Sequence, residues 1–172
     1  MSESGESWKA YLQSANGPCD DTVHGYYWND DQPMLYFRDV RDRPRCCASH
    51  VVPLEELAAD LSNPATTPNS PWIAPDDCAD REGCGIAAGD AFLKTELTEI
   101  MNSPAWRPRR SLAIVTFDED AADYQHPAQR APTIALASAG VKAGYSRPHP
   151  VHPLQPAPHD RGGPRLGHSH CE

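Results

Sequence analysis

Five segments of the chain carry a regular pattern of apolar positions, and long polar loops separate them. Alternation over residues 7–13 predicts a strand, and apolar stripes predict helices over 52–62 and 89–102. Apolar runs at 112–117 and 133–137 predict two more strands, the second as a candidate neighbour of the first. This pattern indicates the α/β class, although a doubly wound sheet usually has more than three strands. We therefore expect a small α/β unit or part of a larger one.

Each predicted helix has one apolar face and a clear end. Pro53 suits the first turn of the first helix, and Asn63 followed by Pro64 ends it. The inward residues are predicted to be Leu54, Leu57, Ala58 and Leu61 in the first helix and Phe92, Leu93, Leu97, Ile100 and Met101 in the second. Both faces are expected to pack into the core.

The run at 112–115 has no polar alternation, which predicts a strand buried on both faces, as in a parallel sheet covered by helices. Asp118, Glu119 and Asp120 follow its carboxyl end. Open α/β sheets place ligand and metal sites at that edge, and adjacent carboxylates suit a divalent cation or an acid/base pair. The alternative is a solvated acidic loop after a core strand.

Composition excludes some classes of protein. The 172 residues suffice for one domain with a sizeable core, but 18 prolines imply much loop. With 15 Lys and Arg against 24 Asp and Glu, the net charge of −9 argues against a general nucleic-acid binder. A phosphorylated substrate stays open, because a bound cation reverses the local field. The sequence shows neither a transmembrane segment nor a signal peptide at its first residues.

The cysteines favour an oxidising compartment. Cys78 and Cys84 enclose a short loop, and Cys19 has two candidate partners, Cys46 and Cys47. Zinc ligands or free thiols are the alternative, but the chain has no CxxC pair. We expect disulfides, which stand in contrast to the missing export signal.

Residues 148–172 form a tail rich in Pro and His with almost no apolar periodicity. Its histidines are potential metal ligands, yet unpatterned Pro-rich sequence does not hold ligands in a rigid geometry. We expect this tail to be disordered.

Six segments in order, SWKAYLQ, QPMLYF, CCASHVVPLEELAADL, APDDCADREGC, GDAFLKTELTEIMNSPAW and SLAIVTFDED, cover about residues 5–147. Together they resemble the phosphoesterase family of the alkaline-phosphatase superfamily, which includes acid phosphatases and phospholipase C-type enzymes, mostly exported by bacteria. The resemblance implies a partial alkaline-phosphatase-like sheet flanked by helices, with long loops. Residues 1–147 would be the carboxyl-terminal part of that domain.

The resemblance also implies a chemistry. Members of the family are expected to hydrolyse phosphate monoesters or diesters at a metal-assisted site, through a phosphorylated Ser or Thr. The family's Asp-Glu metal motif matches Asp118 and Glu119, which predicts a divalent metal of unknown identity. A phosphorylated small molecule or a phospholipid is the expected substrate, and the family's location is secreted or extracytoplasmic.

The chain departs from the family pattern at several points. The nucleophile segment would lie before Ser7, so no Ser or Thr is assigned as nucleophile. Two positions where the family has His hold Asp31 and Glu82 instead, while Pro75, Asp76 and Asp80 stay in register. Asp80 and Glu82 are therefore candidate oxygen ligands. His149 lies near the expected place of a late family His.

These departures leave alternatives open. A frameshift near Arg147 and truncation would leave a catalytically inactive remnant or a binding-only fragment of the same fold. A secreted disulfide module unrelated to catalysis is a further alternative.

Overall fold

The computed structural model describes residues 6–108, 110–117, 131–140 and 142–146. The chain divides after Ala105 into two compact units, which are taken separately below. The predictions for Asp118, Glu119, His149 and the tail lie outside the described residues.

The first unit is built on a parallel three-stranded sheet. Its strands are β1 (Trp8–Leu12), β2 (Val51–Pro53) and β3 (Ser70–Ala74), in the order β2-β1-β3. Both pairings are parallel, with Ala10 of β1 opposite Val51 on one side and Trp72 on the other. The carboxyl ends of all three strands therefore meet at one edge of the sheet.

The predicted first strand is confirmed, and its position in the sheet explains its sequence. As the central strand, β1 is covered on both faces. Leu12 packs in one core cluster with Leu35 and Val40, and Tyr11 packs in another with Leu57. Tyr11 and Leu12 are at most 1% exposed, so the alternation marks two buried faces rather than a core face and a solvent face.

Three of the helices are short. A 3₁₀ turn (Pro33–Tyr36) precedes α1 (Arg38–Arg41) and α2 (Pro44–His50), and α3 (Glu56–Leu61) follows β2. The helix predicted over 52–62 is thus wrong at its start, because β1 pairs with residues 51–53 and holds them in a strand. Its inward residues Leu57 and Leu61 are buried as expected.

Helix α4 (Ile86–Asn102) begins three residues before the predicted start. Its apolar stripe is half-buried, and Met101, predicted to face inward, is 40% exposed. Gly89 is the buried residue of this helix, and a Cβ there would lie 2.7 Å from Cγ of Arg81. The loop before the helix thus packs closely against its first turns.

The second unit contains β4 (Leu112–Thr116) and β5 (Thr133–Ala137). They pair with each other as predicted, but the pairing is antiparallel. The expectation of a parallel strand buried on both faces is wrong for the described residues. Leu112 and Ile114 are more than half exposed, because no element of the described part of the chain covers that face of the two-stranded ribbon.

Two disulfides join described residues of the first unit, Cys19–Cys47 and Cys78–Cys84. Cys46 is also disulfide-bonded. None of the helices in the described part of the chain is long and apolar enough to cross a membrane.

Candidate functional site

The candidate site lies on the loops that follow the carboxyl ends of β1 and β3. Open α/β sheets form their ligand sites at this edge. The loop after β3 runs from Pro75 to Gly85, and the loop after β1 runs through Cys19 to Gln32. The Cys78–Cys84 disulfide closes the loop after β3, and the Cys19–Cys47 disulfide ties the loop after β1 to α2. Backbone hydrogen bonds join the two loops.

The loop after β3 begins with a turn around Asp76. The Asp76 carboxylate accepts hydrogen bonds from the backbone N–H groups of Cys78 and Ala79, at 3.2 and 3.0 Å. Farther along, Oδ1 of Asp80 accepts from the Glu82 N–H at 2.8 Å. These are Asx turns, which fix a short polar loop without regular secondary structure.

The folded loop brings three carboxylates together. One oxygen from each of Asp77, Asp80 and Glu82 lies within 4.8 Å of the other two. We call this group the carboxylate cluster. Asp77 and Asp80 are half-buried and Glu82 is exposed, so the cluster opens to solvent on one side.

The loop after β1 lies directly against the cluster. The Asp77 N–H donates to the Tyr26 carbonyl at 2.9 Å. At Gly83 a Cβ would lie 3.1 Å from Cε1 of the Tyr26 ring, so glycine permits this close approach. The Gly83 N–H in turn donates to the Asp77 carbonyl at 2.6 Å.

Asp20 stabilises the loop after β1 from within. Its carboxylate accepts from Thr22 and from the Asn16 N–H, and it pairs with Nε2 of His24 at 2.8 Å. Burial would raise the pKa of this carboxyl, but these hydrogen bonds outweigh burial and hold the pKa well below its usual value. The hydroxyl of Tyr27 donates to the Asp20 carbonyl at 2.7 Å and fastens the loop to the core.

Asp31 lies near the end of this loop and faces the carboxylate cluster. Its Oδ2 atom is buried, and no donor among the described residues reaches it. Burial, followed by the charges of Asp30, Asp80 and Asp77, raises the pKa of Asp31 to about 7, although a backbone hydrogen bond from Trp28 acts in the opposite direction. A buried carboxylate surrounded by like charges is unfavourable unless a proton or a cation neutralises it.

The donor set fits a hard divalent cation. Carboxylate oxygens are preferred ligands of calcium, magnesium and manganese, and nearby like charges are tolerated where a cation lies between them. The residues whose oxygens are close enough to share such an ion are Asp77, Asp80 and Glu82. Asp31 lies near enough for the charges of Asp80 and Asp77 to raise its pKa. The geometry therefore accommodates a metal without any imidazole or thiolate.

Sequence reasoning found part of this site. It marked Asp80 and Glu82 as oxygen ligands, and it noted Asp31 only as a departure from the family pattern. It missed Asp77 and the proximity of Asp31 to the loop after β3. The Asp76-Asp77 pair directly after an apolar segment was the available signal, because in the sequence it follows an apolar run as the acidic run after residue 117 does.

A cleft of about 840 Å³ lies between α3 and α4. Its walls include Leu61, Lys94 and Asn102, and none of the cluster residues lines it. The volume of the cleft does not by itself indicate a ligand or a reaction, so the carboxylate cluster is the better candidate site.

Comparison with known proteins identifies the family. The sequence model of the Phosphoesterase family matches residues 1–159, which is most of the chain. The chain belongs to the Phosphoesterase family. No curated protein and no solved structure gives a significant match. Family membership establishes phosphate-ester hydrolysis as the chemistry of the family, and it agrees with the resemblance in the sequence.

Membership in the Phosphoesterase family also bears on the fold. The parallel three-stranded sheet with its helices is consistent with part of an α/β phosphatase-like domain. The expected site residues Asp118, Glu119 and His149 fall within the match but outside the described residues. Their roles remain predictions.

Proposed function

We propose that this chain belongs to a metal-assisted phosphoesterase that hydrolyses phosphate esters of small molecules or phospholipids. Family membership supports the reaction class. The carboxylate cluster beside Asp31 supports metal assistance, because it concentrates hard oxygen donors at the edge of the sheet where such sites form. The disulfides agree with a secreted or extracytoplasmic location.

Two groups of residues are proposed to hold divalent cations. Asp118 and Glu119 match the family's metal motif, and Asp31, Asp77, Asp80 and Glu82 form the second group. A bound cation would withdraw charge from the phosphoryl oxygens and lower the pKa of the attacking group. The sequence assigns no nucleophile, and His149 is proposed only as the late histidine.

The residues of the second group have roles of their own. In the cation-free protein the raised pKa of Asp31, about 7, leaves this carboxyl partly protonated near neutral pH, and the protonated form reduces repulsion from Asp77 and Asp80. Half-buried Asp77 and Asp80 would hold an ion together with Glu82, which is exposed on the open side of the cluster. Imidazoles at positions 31 and 82 would donate protons, whereas carboxylates there favour cation binding.

Asp31 and Glu82 stand at two positions where the family has His, and this replacement supports a second candidate function. In this alternative the chain is a catalytically inactive, binding-only member of the family. It retains the fold and the oxygen ligands but performs no hydrolysis. Both candidates predict cation binding, and only the first predicts turnover.

Titration of the intact chain with terbium ion tests the site. The exposed rings of Tyr26 and Trp28 lie on the loop that faces the cluster and can sensitise terbium luminescence. We expect Asp80→Asn to weaken binding about 10-fold or more, since it removes a charged ligand. Asp60→Asn is the matched control, because Asp60 is paired with Lys9 away from the cluster. Equal affinity in both variants contradicts the second site.

Release of phosphate from an aryl phosphate tests turnover. Metal-dependent release that the double variant Asp118→Asn, Glu119→Gln abolishes supports the first candidate. No release between about pH 5 and 9, the range in which general acid/base groups operate, supports the binding-only alternative for this chain.

A further inference from the structure

We propose that Asp76 is a positioning residue, held by Ser14, that fixes the loop carrying the carboxylate cluster against the carboxyl edge of the sheet. Its importance for cation binding rests on the proposed function. The positioning itself concerns only the loop and can be tested without any cation.

Asp76 connects the ends of two strands. It is 6% exposed, and its Oδ2 atom accepts a hydrogen bond of 2.6 Å from the Ser14 hydroxyl, just past the end of β1. Its Oδ1 atom accepts from Cys78 and Ala79 in the loop after β3. The Asp76 N–H donates to Oε1 of Gln13 at 3.1 Å. One buried side chain thus connects the central strand to the first turn of the site loop.

The backbone conformation of Ser14 indicates that its hydrogen bond to Asp76 is kept despite backbone strain. Ser14 has a φ of 62°, in the left-handed region that residues other than glycine seldom adopt. Such a conformation persists only where the surrounding contacts enforce it, and it is concentrated at functional sites. In Ser14 it directs an otherwise exposed hydroxyl onto the buried Asp76 carboxylate.

The opposite edge of the sheet provides a matched comparison. Ser7 and Asn69 also connect the loops beside β1 and β3, with the same sequence separation of 62 residues. The Ser7 hydroxyl donates to Oδ1 of Asn69 at 3.0 Å and accepts from its N–H at 3.1 Å. Both residues are exposed and lie at the amino edge, away from the cluster. This pair links the strands without positioning a carboxylate.

The hydrogen bonds of Asp76 distinguish a role in positioning the loop from a role that requires its negative charge. Both Asp76 oxygens already accept from protein donors, so its role depends on shape rather than on the net charge. Asn keeps the acceptor that receives Cys78 and Ala79, and the Ser14 hydroxyl can accept from the new amide. Asp76→Asn should therefore preserve the loop, whereas Asp76→Ala should release it.

Hydrogen exchange of the intact chain with EDTA present is the direct test. We expect Asp76→Ala to speed exchange of the Cys78 amide about 10-fold, the factor that corresponds to losing roughly one buried hydrogen bond. The Ala79 amide should exchange faster by less, because its N–H keeps a hydrogen bond of 2.8 Å to the Asp76 backbone carbonyl. Ser14→Ala, at an exposed site that should fold normally, should give a smaller increase at the same amides. Asp76→Asn should remain within about 3-fold of the original chain. Ser7→Ala should leave these amides unchanged.

Two results would overturn the proposal: unchanged exchange in Asp76→Ala, or equal acceleration in Asp76→Asn and Asp76→Ala. Terbium titration of the same variants supplies the functional readout, with weaker binding in Asp76→Ala and rescue in Asp76→Asn. If the original chain binds no terbium, the proposed cation site fails, and exchange still decides whether Asp76 positions the loop.

Discussion

Asp60 and Asp31 are two partly buried aspartates of the first unit whose pKa values shift in opposite directions. Burial would raise both. At Asp60, hydrogen bonds from Lys9 at 2.9 Å and from the Tyr11 hydroxyl at 2.7 Å outweigh burial and hold the pKa below its usual value. At Asp31, neighbouring carboxylates add to burial and raise the pKa to about 7.

The difference shows that partners, rather than burial, decide the role of an acidic residue. Lys9 bridges Asp60 and Glu56, so this group is satisfied within the protein and serves stability. Asp31 has a buried oxygen without a donor among the described residues, so a proton or cation must come from outside. An arrangement of this kind is typical of functional sites.

The largest expected effect comes from opening the loop that carries Asp31. Replacing Cys19 and Cys47 together by Ala should lower the free energy of unfolding by about 3 kcal/mol, because their separation of 28 residues closes a long loop. Urea denaturation measures this loss. The pKa of Asp31, followed by carboxyl NMR, should fall toward its ordinary value, while that of Asp60 should stay low.

The second disulfide provides the control. Cys78 and Cys84 are six residues apart, so replacing both by Ala should lower the free energy of unfolding less, by about 2 kcal/mol. A larger loss there than for Cys19 and Cys47 would contradict the loop-closure explanation.

Removing the positive charge of Lys9 should shift the pKa of Asp60 upward, in the direction in which the pKa of Asp31 is shifted. In Lys9→Met, Asp60 keeps the Tyr11 hydroxyl but loses its charged partner, so its pKa should rise. We expect a loss of about 2 kcal/mol in the free energy of unfolding, since a partly buried carboxylate is left unpaired. Urea denaturation measures it, and Lys94→Met on an exposed position of α4 is the control. Equal losses in both variants would show that the Lys9 bridge contributes nothing.

Neutralising Asp31 should raise the free energy of unfolding, whereas removing the charge of Lys9 should lower it. In EDTA at pH 8, Asp31→Asn should raise the free energy of unfolding by about 1 kcal/mol, because it removes a charge facing Asp77 and Asp80. Asp30→Asn, at an exposed neighbour, should change it less. Destabilisation by Asp31→Asn at pH 8 would contradict the repulsion that the geometry implies.

The pH dependence should separate the two aspartates by the most specific effect. The folded-state pKa of Asp31 is raised from 3.8 to about 7, so the native state holds its proton more tightly than the unfolded chain. Its contribution is therefore full below about pH 4 and lost as pH rises toward 7. Asp60 has a lowered pKa, so its contribution is lost as pH falls below about 4.

Urea denaturation of the original chain and Asp31→Asn across pH 4 to 8 in EDTA measures this contribution. The stability difference between the two proteins should grow in favour of the variant as pH rises. A difference that stays constant with pH would show that the pKa of Asp31 is not raised.

Local sequence patterns predicted the positions of individual strands and helices better than their burial and strand direction. The strand at 8–12 and the pairing of residues 112–116 with 133–137 were anticipated, and the stripe of Leu57 and Leu61 is buried. The start of α3 was missed, because pairing with β1 overrides a helical pattern at Val52. The direction and exposure of β4 were missed as well, because an apolar run has the same appearance whether or not another layer covers it.

The sequence by itself determined the family, the acidic loops, the short disulfide loop and the approximate places of three of the five described strands and of helices α3 and α4, because these depend on residue type and near neighbours. The tertiary structure decided that Asp31 lies within reach of the charges of Asp77 and Asp80 and that Asp60 pairs with Lys9. These partners are about 50 residues apart, and only the parallel order β2-β1-β3 brings their loops and side chains together. The same residue type therefore serves stability in one place and provides a candidate cation ligand in another.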